Sequence, residues 1–166
     1  MKPSDVCSHG LVWIPFIDLS IEGEPTPWAR HVGKGAGAIT PPEQKRFKKT
    51  ISEYAWAKMA RFSAKEKANA TREFRAAVRV YVKPETKALQ ALYDDDKEFR
   101  EGVDRERIFT VNRPDLDNWI KLPLDAMNKI VWADDAQVVS FDGSGKFYSL
   151  RPRLDVTVYT RTAILA

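Results

Sequence analysis

The stretch RPDLDNWIKLPLDAMNKIVWADDAQVV, residues 113–139, carries two patterns that decide the fold and the chemistry. Apolar residues recur at helical spacing at Ile120, Leu124 and Met127, which predicts an amphipathic helix, and Pro123 inside it is expected to bend that helix. The QVV that ends the stretch is typical of a strand. The stretch also gathers five aspartates, whose carboxylates need a cation, a partner or open water. They are Asp115, Asp117, Asp125, Asp134 and Asp135.

Patterns on either side of this stretch predict one α+β domain over residues 1–166. LVWIPFIDLSIEG alternates through Ile17, Leu19 and Ile21, as a half-buried strand does. A helix then begins near Thr40, which is expected to be its N-cap, with Pro41 in the first helical position and Glu43 closing a capping box. Further strands are predicted at AAVRVYV, FTVNRPDLD, QVVSF, GKFYSL and RLDVTVYT. The expected architecture is a mixed, mainly antiparallel sheet with two main helices packed on it.

Composition fits a globular protein, with 43% hydrophobic and 30% charged residues in 166. Cys7 is the single cysteine, which excludes an internal disulfide and any cysteine-based zinc site. No apolar run approaches the roughly 18 residues of a membrane span, and MKPSDVCSHG does not resemble a signal peptide. A reducing, cytoplasmic setting is expected.

Charge is segregated along the chain. Residues 28–75 hold twelve Lys or Arg against four Glu, which predicts a polyanionic partner, although a solvated helical face is the ordinary alternative. Residues 84–110 hold eight acidic and five basic side chains and are expected to form an acidic, partly helical insert. The run Asp94, Asp95, Asp96 within it is typical of a solvated turn.

The aspartates of residues 113–139 are predicted to converge. Asp115 and Asp117 share one face if the backbone is extended, and a helix beginning near Asp117 stacks Lys121 on that carboxylate. Asp134 or Asp135 reaches the same point if the QVV strand lies beside the strand that ends at Asp115. Three carboxylates without thiols suit Mg²⁺, with Mn²⁺ as a possible substitute, for phosphodiester hydrolysis.

Each of these aspartates also has an ordinary explanation. Asp117 could only cap a helix, Asp125 could only pair with Lys121 or Lys129, and ADDAQ could only be a turn. The two histidines, His9 and His31, are too isolated to build a histidine-based metal site. One divalent-metal site explains all of these aspartates together, whereas the ordinary explanations require three separate turn roles within a short span.

The same stretch resembles the RusA-type Holliday junction resolvases. That family has a D-L-D-N start, a Lys four residues after the second Asp, then D-A and D-D-x-Q-V, and every element is present here at matching spacing. The resemblance extends over the first strand, the loop PWARHVGKG, the capped helix and the closing strands. Pro123 and the length of the insert 84–110 depart from the family pattern.

The resemblance implies the roles of individual residues. Asp115, Asp117 and Asp135 would be the catalytic magnesium ligands, Asp134 would support them, and Lys121 would be the catalytic lysine. A homodimer would cut opposed strands of a four-way DNA junction by paired nicks. The side chains expected to contact DNA are Arg30, His31, Lys34, Lys45, Lys48 and Arg113.

Three other functions compete with junction resolution. A protein with this fold could bind junctions without cutting, and a nuclease could act on other branched DNA. A D-x-D glycosyltransferase is disfavoured because the chain is short and no Gly-rich phosphate loop follows a strand. Cleavage of a synthetic junction with magnesium, compared with EDTA, separates the first of these from a resolvase.

Overall fold

The structure is a computed structural model that describes residues 11–29, 40–63 and 72–163. Elements are numbered here in chain order. The strands are β1 (Leu11–Glu22), β2 (Phe74–Val82), β3 (Val138–Ser140), β4 (Gly145–Tyr148) and β5 (Arg153–Ala163). The helices are α1 (Pro42–Met59), α2 (Lys87–Asp95), α3 (Lys97–Asp104) and α4 (Leu116–Met127), and a short 3-10 turn spans Asp135–Gln137.

The five strands form one mixed sheet. β5 lies between β1 and β2 and is antiparallel to both, with Arg153 opposite Glu22 on one side and Tyr81 on the other. β3 and β4 lie end to end along the far side of β2 and run parallel to it. The predicted fold class is therefore confirmed.

One face of the sheet carries the core, with α1 and α4 packed on it. Ile17, Leu19 and Ile21 of β1 are buried, as their alternation predicts. Val78 and Val80 continue the same face on β2. Helix α1 packs one apolar face on the sheet, in which Ile51, Ala55 and Met59 are buried. Removing any large side chain from this set is expected to destabilise the fold by about 2–5 kcal/mol.

Helix α1 begins one residue later than the sequence predicts. Pro42 is its first residue, and Pro41, whose side chain makes no cap hydrogen bond, occupies the N-cap position. The predicted N-cap at Thr40 with a capping box to Glu43 was therefore wrong. A proline disfavours helical backbone in the residue before it, so Pro42 holds Pro41 outside the helix at ψ 138°.

Two predictions about the segment before α4 were also wrong. FTVNRPDLD is not a strand: it borders β4, but within the described chain its one β-bridge is an isolated one between Phe109 and Phe147. β3 does not lie beside this segment but pairs with β2 at Phe74 and Arg75. The pairing of neighbouring strands is set by tertiary packing, which the strand patterns do not encode.

The acidic insert is partly helical, as predicted, and consists mainly of α2 and α3. It is fastened to the sheet at its C-terminal end. Glu106 forms a two-point ion pair with the Arg153 guanidinium at 2.5 and 2.7 Å, and Tyr148 donates a backbone hydrogen bond to Ile108 at 2.9 Å. The insert therefore lies at the end of the sheet where β2 and β4 finish.

Candidate active site

Helix α4 presents the first two aspartates at its N-terminus. Asp115 is the N-cap residue, and Asp117 lies in the first turn. Both side chains are exposed. The prediction of an extended backbone through both was wrong, because the chain becomes helical at Leu116. The Asp115 carboxylate makes no capping hydrogen bond, so neither aspartate is accounted for by the N-cap explanation.

A lysine that sequence reasoning missed fixes the segment leading to Asp115. The Lys146 ammonium donates to the carbonyl oxygens of Asn112 at 2.8 Å and Pro114 at 3.0 Å. Asn112 in turn donates from its side chain to the Tyr148 hydroxyl at 3.0 Å. β4 thereby sets the position of the Asp115 backbone. Nothing in GKFYSL distinguishes this lysine from an ordinary solvent-facing one.

Lys121 lies on the same helix, four residues after Asp117 and four before Asp125. It forms an ion pair with neither in the described part of the chain, and Asp125 pairs with no other cation there, Lys129 included. Instead the Lys121 ammonium lies 3.9 Å from the centre of the Trp28 ring. Trp28 donates a backbone hydrogen bond to the Asn118 carbonyl at 2.9 Å, which links this residue to the first turn of α4.

The second pair of aspartates lies beyond the other end of α4. Asp134 caps the 3-10 turn: its carboxylate accepts the Ala136 N–H at 2.9 Å, and Gln137 completes a capping box. The Gln137 amide also donates to the Arg72 carbonyl at 2.9 Å. Asp134 therefore has the turn duty that the sequence allowed, whereas the Asp135 side chain is exposed.

Within one chain the two aspartate pairs lie far apart. Helix α4 separates them, and its 12 residues span roughly 18 Å. The sheet gives a similar distance. β3, which follows Asp135, pairs with β2 at Phe74. Lys146, which holds the segment before Asp115, pairs with β2 at Val80, about 20 Å further along that strand. Accordingly, among the described residues no three His, Cys, Asp or Glu side chains form a group that could hold a metal ion.

Three of the predicted DNA-contacting side chains lie within the described residues. Lys45 and Lys48 are exposed on α1, and Arg113 is exposed just before Asp115. Arg113 also lines a cavity of about 250 Å³ together with Lys83 and Lys146. Arg30, His31 and Lys34 lie outside the described residues, so their predicted contacts remain predictions.

The comparison with known families agrees with this arrangement. Residues 21–159, most of the chain, match the family described as Endodeoxyribonuclease RusA. The chain belongs to the RusA endodeoxyribonuclease family. The family model is described by an activity, the internal cutting of DNA strands. The match includes β2, the insert, α4 and both aspartate pairs.

A curated relative is less informative. The chain is 36% identical over 64 residues to a protein of Bacillus subtilis (strain 168) described as Uncharacterized protein YqaN. That alignment covers 39% of this chain and 44% of the relative, so the chain matches less than half of the relative's length. No helix in the described ranges has the length and apolar character to cross a membrane.

Proposed function

We propose that this RusA-family chain is a magnesium-dependent endonuclease that resolves four-way DNA junctions by paired nicks, acting in DNA recombination and repair. One observation carries the proposal: the family match includes two exposed aspartates at the N-terminus of α4 whose carboxylates make no described hydrogen bond or ion pair. Carboxylates left without partners in solvent are available to a cation. A cytoplasmic location remains a prediction.

The donor set fits a hard divalent cation. Asp115, Asp117 and Asp135 offer carboxylate oxygens, with Asp134 beside them, and no thiol or imidazole competes among the described residues. Mg²⁺ commonly uses only one or two carboxylates and completes its shell with water and phosphate, and Mn²⁺ accepts the same ligands. When bound there, the ion would supply an activated water and neutralise the leaving oxygen.

The chain's own cations would hold the DNA. Lys45 and Lys48 are exposed on α1, which packs beside α4, and Arg113 is exposed just before α4. These side chains would contact phosphates without reading sequence. Lys121 would stabilise the charge that develops on the cleaved phosphate. Lys121→Ala should therefore lower the turnover number by about 10²-fold while changing junction affinity only a few-fold.

In a homodimer, two subunits would together supply the metal-binding carboxylates that lie far apart within one chain. Along the edge formed by β3 and by the segment that borders β4, four large apolar side chains are exposed, an unusual number for a solvated sheet edge. This edge patch consists of Phe109 (66% exposed), Val111 (94%), Val139 (57%) and Phe141 (40%). We take the edge patch as the subunit interface. Val139→Lys should then give a monomer by light scattering, whereas the wild type should have about twice the monomer mass.

Two-fold pairing along this edge would bring opposite ends of the sheet together. Asp115 and Asp117 lie toward one end of the edge, and Asp135 lies toward the other. With a two-fold axis perpendicular to the strands, the two edges would run in opposite directions, so Asp135 of the partner subunit would approach Asp117. Each metal site would then combine carboxylates from both subunits, and two sites would face a two-fold junction.

Cleavage of a synthetic four-way junction tests the proposal. The wild type should cut opposed strands with Mg²⁺ and not with EDTA. Asp117→Asn should abolish cutting but keep or strengthen junction binding, because one charge near phosphate is removed. Asp95→Asn makes the same chemical change at an exposed position of the insert and should cut normally.

Other outcomes identify the competing functions. Binding without cleavage under both conditions would favour a non-cleaving junction protein. Equal or faster cutting of flaps and three-way junctions would make this a nuclease for other branched DNA. Normal cleavage by Asp117→Asn would reject the metal assignment itself.

A further inference from the structure

The position of the Lys121 ammonium is unexpected for a lysine on a helix surface. Asp117 and Asp125 lie four residues to either side, the spacing at which helical ion pairs form. Within the described residues neither pair forms. The ammonium lies over the face of the Trp28 indole instead, 3.9 Å from the ring centre. Exposed ion pairs are weak, and a cation over an indole is at least as favourable.

Trp28 is held in place from both sides. Its backbone N–H bonds the Asn118 carbonyl at 2.9 Å, and its ring packs against the hydrophobic core. The next residue, Ala29, donates its N–H to the side chain of Gln44 at 2.9 Å, and Gln44 is only 4% exposed. The indole is therefore fixed relative to both α1 and the helical turn that carries Asp117.

Holding Lys121 on an indole has a chemical consequence. If the ammonium paired with Asp117, it would neutralise a carboxylate that the proposed function assigns to the metal, and the two cations would compete for it. The π face of the indole attracts the ammonium, so the ammonium is held without using a carboxylate that the metal needs. Asp117 stays available, and the lysine keeps its full charge for phosphate.

We propose that Trp28 is a positioning residue that keeps the Lys121 ammonium off Asp117. The catalytic part of this inference rests on the proposed function, whereas the contact and its effect on metal affinity can be measured without DNA. Trp28 comes just before the segment in which Arg30 and His31 are expected to contact DNA. The role proposed for Trp28 is its contact with Lys121 and not a contact with phosphate.

The test compares Trp28→Leu, which removes the π face, with Trp28→Phe, which keeps a smaller one. Trp56→Leu is the matched control, because Trp56 is an exposed tryptophan of α1 with no described cation over its ring. NMR of the metal-free, DNA-free protein should show the Lys121 side-chain protons next to the ammonium shifted upfield by the Trp28 ring. That shift should vanish in Trp28→Leu, persist in part in Trp28→Phe, and be unchanged in Trp56→Leu.

Metal titration provides the second measurement. Calorimetry with Mg²⁺ or Mn²⁺ should give a roughly three- to tenfold weaker affinity for Trp28→Leu, with Trp28→Phe between it and the wild type. In a Lys121→Met background, where no ammonium remains to compete, Trp28→Leu should have no further effect. A loss of the same size in that background would overturn the proposal and leave Trp28 a merely structural residue.

Cleavage kinetics separate this inference from the proposed function. Trp28→Leu should lower the turnover number with little change in junction affinity. A wild type that binds metal and shows the ring shift but cuts no DNA would reject the proposed function alone. A wild type that cuts junctions while Trp28→Leu matches it in metal affinity would reject the positioning role alone. If Trp28→Leu fails to fold, Trp28→Phe and Lys121→Met decide the question by the same measurements.

Discussion

The aspartates of residues 115–135 look alike in the sequence but differ in what their carboxylates do. Asp134 caps a turn, whereas Asp115 occupies a cap position without using its side chain. Asp117 and Asp135 are exposed. The sequence could name all of them as candidates, but a capping carboxylate is recognised only from the N–H groups it faces.

The role of Asp134 as the cap of the 3-10 turn can be tested by measuring the free energy of unfolding. Asp134→Ala removes the acceptor for the Ala136 N–H and should lower the free energy of unfolding by about 1 kcal/mol. Asn caps as well as Asp, so Asp134→Asn should stay within about 0.5 kcal/mol of the wild type. Urea denaturation without divalent ions measures both. A large loss in Asp134→Asn would mean that the charge matters to folding as well as the acceptor.

At the scale of elements, an ion pair helps to fasten the acidic insert to the sheet. Hydrogen bonds from Arg153, with a further one from Ser149, outweigh the effect of burial and hold the pKa of Glu106 below its ordinary range. Arg153 in turn bonds Asp155 at 3.0 Å and stacks over Tyr81. Because β5 and β2 provide these partners, the insert is fixed to the central strands of the sheet.

This ion pair gives folding stability a defined pH dependence. Because the folded pKa of Glu106 is lowered, its contribution is complete above the unfolded glutamate pKa of about 4.3 and is lost as pH falls through the folded value. Glu106→Gln should cost about 1–3 kcal/mol at pH 7, and the cost should shrink in acid. Urea melts from pH 7 to pH 3 measure it. Glu85→Gln, an exposed change at the start of the insert, should show no such trend.

Helix α1 is expected to act mainly through its charges. Lys45 and Lys48 are exposed and form no ion pair within the described residues, unlike Lys49, which pairs with Glu53. Replacing both by Ala should weaken junction binding and reduce the dependence of log Kd on log salt by about 0.9 for each phosphate that is no longer neutralised. Binding measured in EDTA at several salt concentrations tests this. Lys87→Ala on the acidic insert is the control, and an equal effect there would mean a general charge effect.

At the scale of the whole molecule, the proposed dimer predicts complementation. Asp117→Asn and Asp135→Asn should each be inactive alone. In a mixed dimer, one site would hold both substitutions and the other would hold neither. Random mixing should therefore restore about one quarter of the wild-type sites, because half of the dimers are mixed and each has one intact site.

The DNA products of the mixed preparation distinguish sites that are shared between subunits from sites that lie within one subunit. Sites shared between subunits should yield single nicks in a junction rather than paired cuts. If Asp117 and Asp135 of the same subunit formed each site instead, every site in the mixture would carry one substitution. The mixture would then stay inactive. Strand-specific labelling of the junction measures this. Recovered activity with paired cuts would contradict the shared site, because no dimer in the mixture could hold two intact sites.

The sequence by itself determined the elements of this protein and its family. Period-two burial over residues 17–21 of β1, the helical apolar spacing of α4 and the spacing D-L-D-N…K…D-D all follow from local patterns, because side-chain direction depends only on backbone periodicity. Tertiary structure alone decided which strands are neighbours. It put β3 beside the start of β2, and so kept the two aspartate pairs of one chain apart. Contacts between residues far apart in the chain, such as Trp28 with Lys121 or Lys146 with Pro114, depend on packing that no local pattern records.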